Sequence, residues 1–357
     1  MKTKHKILFQ DSRDLANIKS ESVDLIVTSP PYPMIQMWDN IFSKLNLKIE
    51  DSLNTEKSIL AFELMHKELD KTWQESYRTL KNGGIACINI GDATRTINDR
   101  FQLFSNHSRI LESCTKIGFH CLPEILWRKR TNAPNKFMGS GMLPVGAYVT
   151  LEHEHILILR KNNRRHFNYI DEKRMRSESA FFWEERNSWF SDIWEDIRGT
   201  NQKKYELETN RRNASFPIDI PYRLINMFSI KGDVVLDPYL GIGTTTMAAM
   251  LSERNSIGIE IDKNFKNTIF KRIRDDSMIY NEYVLNRLNK HSDFIKKRAG
   301  EKGKSSFKYI NKKYQFPVMT KQEIDMTFNK IREIKETNTG EFEILYDILS
   351  INQNQTQ

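Results

Sequence analysis

Val23-Asp24-Leu25-Ile26-Val27 is an almost unbroken apolar run that stops at two consecutive prolines, Pro30 and Pro31. A strand that is apolar on both sides is covered on both faces, the condition of an interior strand in a parallel sheet. Two adjacent prolines lack the N–H groups a ladder needs, so the backbone must leave the sheet at Thr28-Ser29-Pro30-Pro31-Tyr32. About two hundred residues later the same grammar returns. Val234-Val235-Leu236 runs into Asp237-Pro238-Tyr239-Leu240-Gly241-Ile242-Gly243-Thr244-Thr245, a turn whose two glycines permit positive φ and close approach of a ligand to backbone.

Around these runs, strands and helices alternate. Lys6-Ile7-Leu8-Phe9, Ile85-Ala86-Cys87-Ile88-Asn89-Ile90, Glu124-Ile125-Leu126-Trp127, His155-Ile156-Leu157-Ile158-Leu159 and Ser256-Ile257-Gly258-Ile259-Glu260 read as strands. Residues 58–80 carry helical spacing through Leu60, Leu64, Leu69, Trp73, Tyr77 and Leu80, with Gly83-Gly84 as the stop. Residues 105–117 and 246–252 also read as helices. The rhythm predicts an α/β fold with a doubly wound, mostly parallel sheet of the Rossmann-like kind. From Thr131 the texture changes to loop chemistry, then to a polar, tryptophan-bearing stretch. The expected division is therefore a catalytic body at 1–130 and 214–275, an insertion at 131–213, a basic and mainly helical region at 276–349, and a frayed tail at 350–357.

Each loop suits a distinct chemistry. A glycine turn opening a helix at the carboxyl end of a strand is where open sheets bind ligands. The dinucleotide fingerprint would need glycine or alanine at position 246, where Thr246 stands, and a phosphate loop would need a lysine that this turn lacks. The next strand ends at Glu260, whose carboxylate can accept hydrogen bonds from two ribose hydroxyls. A nucleoside without phosphates fits S-adenosyl-L-methionine. In the other loop, the Ser29 hydroxyl and a freed carbonyl of Ser29 or Pro30 can accept hydrogen bonds from an exocyclic amine, and Tyr32 offers a ring for a flat base to stack on. Such an amine, conjugated to a heteroaromatic ring, is a poor nucleophile; two acceptors on its hydrogens localise the lone pair and orient it. A base in a duplex must first leave the stack.

These residues carry a resemblance. Thr28-Ser29-Pro30-Pro31-Tyr32 and the segment Asp237 to Thr245 look like the two signature motifs of amino-group DNA methyltransferases, in the order of the circularly permuted beta group of restriction-modification enzymes. The resemblance implies a site-specific DNA methyltransferase that transfers a methyl group from S-adenosyl-L-methionine to a flipped base. It implies catalytic roles for Ser29, Pro30, Pro31 and Tyr32. It also implies cofactor binding by Asp11 (at the adenine), Phe216 and Pro217 (at the methionine end), Asp237, Pro238, Tyr239, Gly241, Gly243, Thr244, Thr245 and Glu260. Trp127 to Pro134 is similar to the family's loop beside the target base. Within the family, serine at position 29 leans towards N4 of cytosine, whereas adenine N6 enzymes more often have aspartate there. The alternatives are an N6-adenine enzyme of the same fold and a catalytically retired DNA-binding protein. Ring-carbon methylation needs a cysteine nucleophile in a Pro-Cys dipeptide, and the sequence has none. Pairing with a cognate restriction endonuclease is a further expectation.

Charge supports a polyanionic partner, double-stranded DNA. Of the net +9, the stretch Lys263 to Lys313 contributes 15 Lys or Arg against 5 Asp or Glu, leaving the remainder of the chain near neutral at 9 − 10 = −1. Arg160, Lys161, Arg164, Arg165 and His166, followed by Trp183, Trp189 and Trp194, are expected to read DNA, although each tryptophan alone suits a local core. Cys87, Cys114 and Cys121 form neither a disulfide frame nor a tight metal set, as expected in a reducing cytoplasm. His153 and His155 share one strand face without fixed-spacing partners, with Glu152 and Glu154 on the other face, and no metal is assigned. No apolar run is long enough for a membrane span or a signal peptide.

Overall fold

In chain order the strands are β1 (Lys2–Leu8), β2 (Val23–Thr28), β3 (Leu80–Ile90), β4 (Ala93–Ile97), β5 (Arg100–Phe104), β6 (Phe119–Arg128) and β7 (His153–Lys161). They continue as β8 (Ile193–Trp194), β9 (Val234–Asp237), β10 (Asn255–Ile259), β11 (Tyr309–Ile310), β12 (Pro317–Val318), β13 (Asn329–Asn338) and β14 (Glu341–Ile348). The helices are α1 (Asp39–Leu45), α2 (Leu47–Asn54), α3 (Ser58–Thr79), α4 (Asn106–Ile117), α5 (Ile170–Glu178), α6 (Trp183–Trp189), α7 (Asp219–Phe228), α8 (Thr244–Leu251), α9 (Lys266–Asp275) and α10 (Ser277–Lys302). This computed structural model describes residues 1–129, 143–146, 148–198, 216–275, 277–303 and 307–349.

One ten-stranded sheet runs β13-β14-β1-β10-β9-β2-β3-β7-β6-β8. Its five central strands, β1, β10, β9, β2 and β3, are parallel. Every residue of β2 is buried. Leu25 and Val27 face an apolar layer holding Ile220, Leu224 and Ile225 of α7 and Met247 to Leu251 of α8. Val23 and Ile26 face a second layer with Met65, Leu69 and Trp73 of α3 and Ile110 of α4. Each such fully buried Leu or Ile contributes about 1.5–3 kcal/mol, so helices on both sides fix the strand firmly. Asp24 sits within this apolar run because its carboxylate is satisfied: Lys81 Nζ donates to it at 2.8 Å and the Val234 N–H at 2.9 Å. β1 lies parallel beside β10.

Three expectations are corrected. Helix α3 ends at Thr79, and Gly83-Gly84 lie inside β3 rather than stopping the helix; Gly83 has φ +80° where the strand enters. The described part of 131–213, expected as an insertion that interrupts the sheet, contributes two strands to it. β7 is an interior strand, antiparallel to β3 and β6, and β8 closes the edge. In the region 276–349 the long helix ends at Lys302, and a single 3-10 turn follows at Lys321–Glu323. Beyond it, β13 and β14 form a hairpin that extends the main sheet antiparallel to β1. In β14, Phe342, Ile344 and Tyr346 alternate inward, so the hairpin buries one face and solvates the other. The expected loops at 132–135 and 139–141, the frayed tail at 350–357, and Ala214 and Ser215 lie outside the described residues.

Candidate active site at the switch point

The sheet winds in two directions. β9 leads through α8 to β10 on one side, whereas β2 leads through α3 to β3 on the other. The reversal falls between β9 and β2, which pair in parallel through Leu25↔Val235 and Ile26↔Leu236. Loops that leave neighbouring strands at such a point splay to opposite faces and open a crevice. The two sequence motifs are those loops. They are also bonded to each other: Thr28 Oγ1 donates to Asp237 Oδ1 at 2.6 Å.

Asp237 is a fully enclosed carboxylate that also accepts from the Tyr239 N–H at 3.0 Å, while the neighbouring Thr245 hydroxyl donates to the Val27 carbonyl at 3.4 Å. Burial pushes its pKa up to about 6, against the pull of those donors. Its place is to clamp the two loops. The turn that follows has Gly241 at φ +56° and Gly243 at φ +87°, the latter capping α8. A Cβ on Gly241 would point into open space, so no described residue fills the room above the turn. Glu260, 8% exposed, closes the other side. It accepts from the N–H of Gly241 and of Asp262, both at 2.8 Å. A carboxylate has about four lone-pair sites, so two remain for a ligand's hydroxyls. Burial pushes Glu260 up to about 7, opposed by those two N–H groups and reinforced by the charges of Asp262 and Asp237. These features fit a nucleoside's ribose.

The other expected cofactor residues are distributed around this turn. Pro238, Thr244 and Thr245 are buried in it. Tyr239 turns its hydroxyl away to Thr72 of α3 at 2.8 Å, with its ring edge-on to Trp73, so only its ring face and backbone are left for a ligand. Asp11 follows β1 at the same rim, and Arg13 donates to both its oxygens. Burial raises the Asp11 carboxyl, but the Arg13 bonds outweigh it and hold it below its ordinary range. Phe216 is packed in the α7 layer, and Pro217 opens α7 by accepting from the Ile220 N–H at 3.1 Å.

In the proline loop Pro30 is buried, whereas Ser29, Pro31 and Tyr32 are half-buried. Ser29 Oγ lies 3.1 Å from the Tyr32 hydroxyl. That hydroxyl donates to Glu154 Oε2 at 2.9 Å and accepts from Asn89 Nδ2 at 2.9 Å. Gly91 gives the ring its room; a Cβ there would sit 3.0 Å from Tyr32 Cε2. Sequence reasoning misses Asn89, Gly91 and Glu154 as parts of the site. Asn89-Ile90-Gly91 ends the strand beside β2, which is a usable signal. The sequence places Glu154 on the strand face away from His153 and His155; in the sheet that face is the one that meets Tyr32.

A DNA methylase profile, N6_N4_Mtase, matches residues 23–271. The chain belongs to the DNA methylase family. The methylase is 48% identical over 347 residues to Type II methyltransferase M.MthZI of Methanothermobacter thermautotrophicus, covering 97% of this chain and 96% of that one. It is 55% identical over 282 residues to Type II methyltransferase M.MjaI of Methanocaldococcus jannaschii, covering 76% of this chain and 91% of the relative. Among solved structures it resembles a DNA modification methylase of Thermus thermophilus in complex with S-adenosyl-L-methionine, at 31% identity and TM-score 0.59, over 75% of this chain and 92% of that one. The fold is also that of the PvuII cytosine-N4-specific methyltransferase, at 16% identity and TM-score 0.51, over 77% of this chain and 88% of that one.

The basic stretch expected to read DNA is elsewhere in the methylase. β7 runs antiparallel to β3, so its end lies at the edge of the sheet opposite Tyr32. There Lys161 Nζ donates to the carbonyls of Tyr77 and Leu80, and Arg165 pairs with Asp233 at 2.7 Å. Lys161 and Arg165 thus staple the fold, whereas Arg160 donates to the nearby Asn162 carbonyl at 3.1 Å and Arg164 and His166 are exposed. Trp189 and Trp194 are core, with Trp194 Nε1 donating to the Trp189 carbonyl at 3.0 Å. Trp183 lies under the Arg298 guanidinium at 5.4 Å. Beside the site, Asp92, His107 and His155 place their ligating atoms within 4.8 Å of one another. The two imidazoles stack at 3.8 Å and 9°, which sets their nitrogens side by side rather than converging on one ion. His107 donates to Asp92 at 2.8 Å and is raised by that bond, whereas burial lowers His155.

Proposed function

We propose that this methylase transfers a methyl group from S-adenosyl-L-methionine to the exocyclic N4 of a cytosine flipped out of double-stranded DNA, at a specific site. The observation that carries the reading is the Thr28–Asp237 bond at the switch point, which brings an amine-binding loop against a nucleoside-binding turn. S-adenosyl-L-methionine, when bound, supplies an electrophilic methyl group. Gly241, Gly243 and the turn from Asp237 to Thr245 give it room, Glu260 takes the ribose hydroxyls, Asp11 lies toward the adenine, and Phe216 and Pro217 toward the methionine end. Ser29 Oγ and the carbonyl that Pro30 and Pro31 release from the ladder accept the two amine hydrogens. Tyr32 stacks on the ring. Oriented attack of this kind removes several kcal/mol from the barrier, about 7–11 in the best intramolecular cases. Serine rather than aspartate at position 29 favours cytosine over adenine. Relatives named Type II methyltransferases support pairing with a restriction endonuclease, against which the modification would protect DNA.

Nucleosides from DNA of cells expressing the chain, separated by mass, test this. N4-methylcytosine is the expected product. N6-methyladenine in its place overturns the cytosine assignment, and unmodified DNA overturns the activity.

Cofactor affinity should depend on pH through Glu260. Its folded pKa stands above the unfolded carboxylate value, so in the empty protein the ionised form is penalised, and stability falls as pH rises from about 4.5 through 7. Ribose hydroxyls need the ionised form. The Kd for S-adenosyl-L-methionine should therefore rise about tenfold per pH unit below about 7 and flatten above 8, measured by calorimetry. A flat profile from pH 6 to 8 would contradict the assignment.

A further inference from the structure

Tyr32 is held at its far end. Glu154 on β7 and Asn89 on β3 both reach its hydroxyl, and Asn89 Nδ2 bonds Glu154 Oε2 at 2.7 Å as well. The Glu154 carboxyl is 13% exposed, and its other oxygen takes Lys129 Nζ at 3.0 Å.

The direction of each bond follows from what each group can do. A carboxylate only accepts, so the single phenolic proton goes to Glu154. An amide nitrogen only donates, so Asn89 fills one lone pair of the Tyr32 oxygen. The phenol has then spent its donor and has one acceptor site left. Ser29 Oγ at 3.1 Å can satisfy it only by donating. With its proton turned to Tyr32, the Ser29 oxygen presents lone pairs alone to the base pocket. A free serine hydroxyl rotates and can present either a proton or a lone pair, and against an amine the proton is the wrong one. Tyr32 stays protonated throughout: burial and then the Glu154 charge raise its pKa well above the ordinary phenol value.

We propose that Glu154 is a positioning residue of the methylation site, whose acceptor-only carboxylate polarises the row Glu154–Tyr32–Ser29 so that Ser29 meets the target amine purely as an acceptor. This rests on the reading of Ser29 and Tyr32 as the base loop. It also assigns Asn89 a part, because its amide blocks the alternative in which Tyr32 turns its proton to Ser29.

The test uses the full chain, with steady-state kinetics on DNA carrying the site found by sequencing. Glu154→Leu should lower kcat by roughly tenfold or more, with the KM for DNA and the Kd for cofactor within about threefold of wild type. Glu154→Gln should restore most of the rate, since the Asn89 amide directs the glutamine carbonyl to the same place. Glu154→Leu in a Tyr32→Phe background should cost almost nothing further, because the row is already cut. Independent, multiplicative losses in that double variant overturn the proposal, as does Glu154→Leu turning over like wild type. A lowered Tm with an unchanged rate per folded molecule also overturns it, by assigning Glu154 to stability alone. Wild-type protein that methylates no exocyclic amine fails the base-loop reading itself; an active wild type with any of the other adverse results fails only the Glu154 assignment.

Discussion

Tyr32→Ala should lower methylation kcat/KM by about a thousandfold while leaving cofactor affinity within twofold. Loss of base stacking accounts for roughly 1–3 kcal/mol, and the truncated loop also loses orientation of the amine against the methyl group. The Tyr32 hydroxyl is held by Ser29, Asn89 and Glu154, away from the Gly241–Glu260 bond, so the cofactor side is spared. Tyr32→Phe separates the two parts: it keeps the ring and loses only the hydroxyl row, so its loss should be about tenfold to a hundredfold. Ser29→Ala should fall at least as far as Tyr32→Phe, since it removes the acceptor itself. Calorimetry with S-adenosyl-L-methionine and single-turnover methylation of a cognate duplex read the two sides separately. If Tyr32→Ala methylates at the wild-type rate, the base-loop assignment is wrong.

Much of the core and half of the site can be read from the chain because both depend on local chemistry. A run such as Val23 to Val27 must be covered on both sides wherever it goes. Prolines must leave a ladder, and a glycine turn after a strand must face a ligand or waste its freedom. What the chain hides is partnership at a distance. Glu154 is one glutamate among several, on the polar start of its strand. Only the antiparallel register of β7 against β3, with Asn89 opposite Ile156 and Ile90 opposite His155, shows that Glu154 lies diagonally from Asn89 on the face that meets Tyr32. Lys161 and Arg165 look like DNA contacts until Asp233 and the Leu80 carbonyl come within reach from remote segments. The hairpin β13–β14 is hidden for a different reason. Its lysines and glutamates fill a solvated face and imitate an exposed helix, whereas the alternation of Phe342, Ile344 and Tyr346 is the true signal.

Glu260→Ala should weaken S-adenosyl-L-methionine binding by about two to three orders of magnitude. Hydrogen bonds to a charged group are worth about 1.5–3 kcal/mol each, and two ribose hydroxyls would lose theirs together. The same substitution frees the N–H groups of Gly241 and Asp262, so the turn loses its pin as well as its acceptor. Glu260→Gln distinguishes the two effects. The amide keeps one acceptor oxygen and the shape of the site but no longer titrates. Its cofactor affinity should therefore fall less than that of Glu260→Ala and should be flat between pH 6 and 8, where the wild type changes. A Glu260→Gln protein that still loses affinity toward pH 6 would move the titration to another group. Asp237 would be that group, because burial pushes it up to about 6 and its bond from Thr28 ties the cofactor turn to the base loop. In that case pH would act on the joint between the two half-sites, and Thr28→Val, which removes the donor without touching either pocket, should reproduce the acid loss at pH 8.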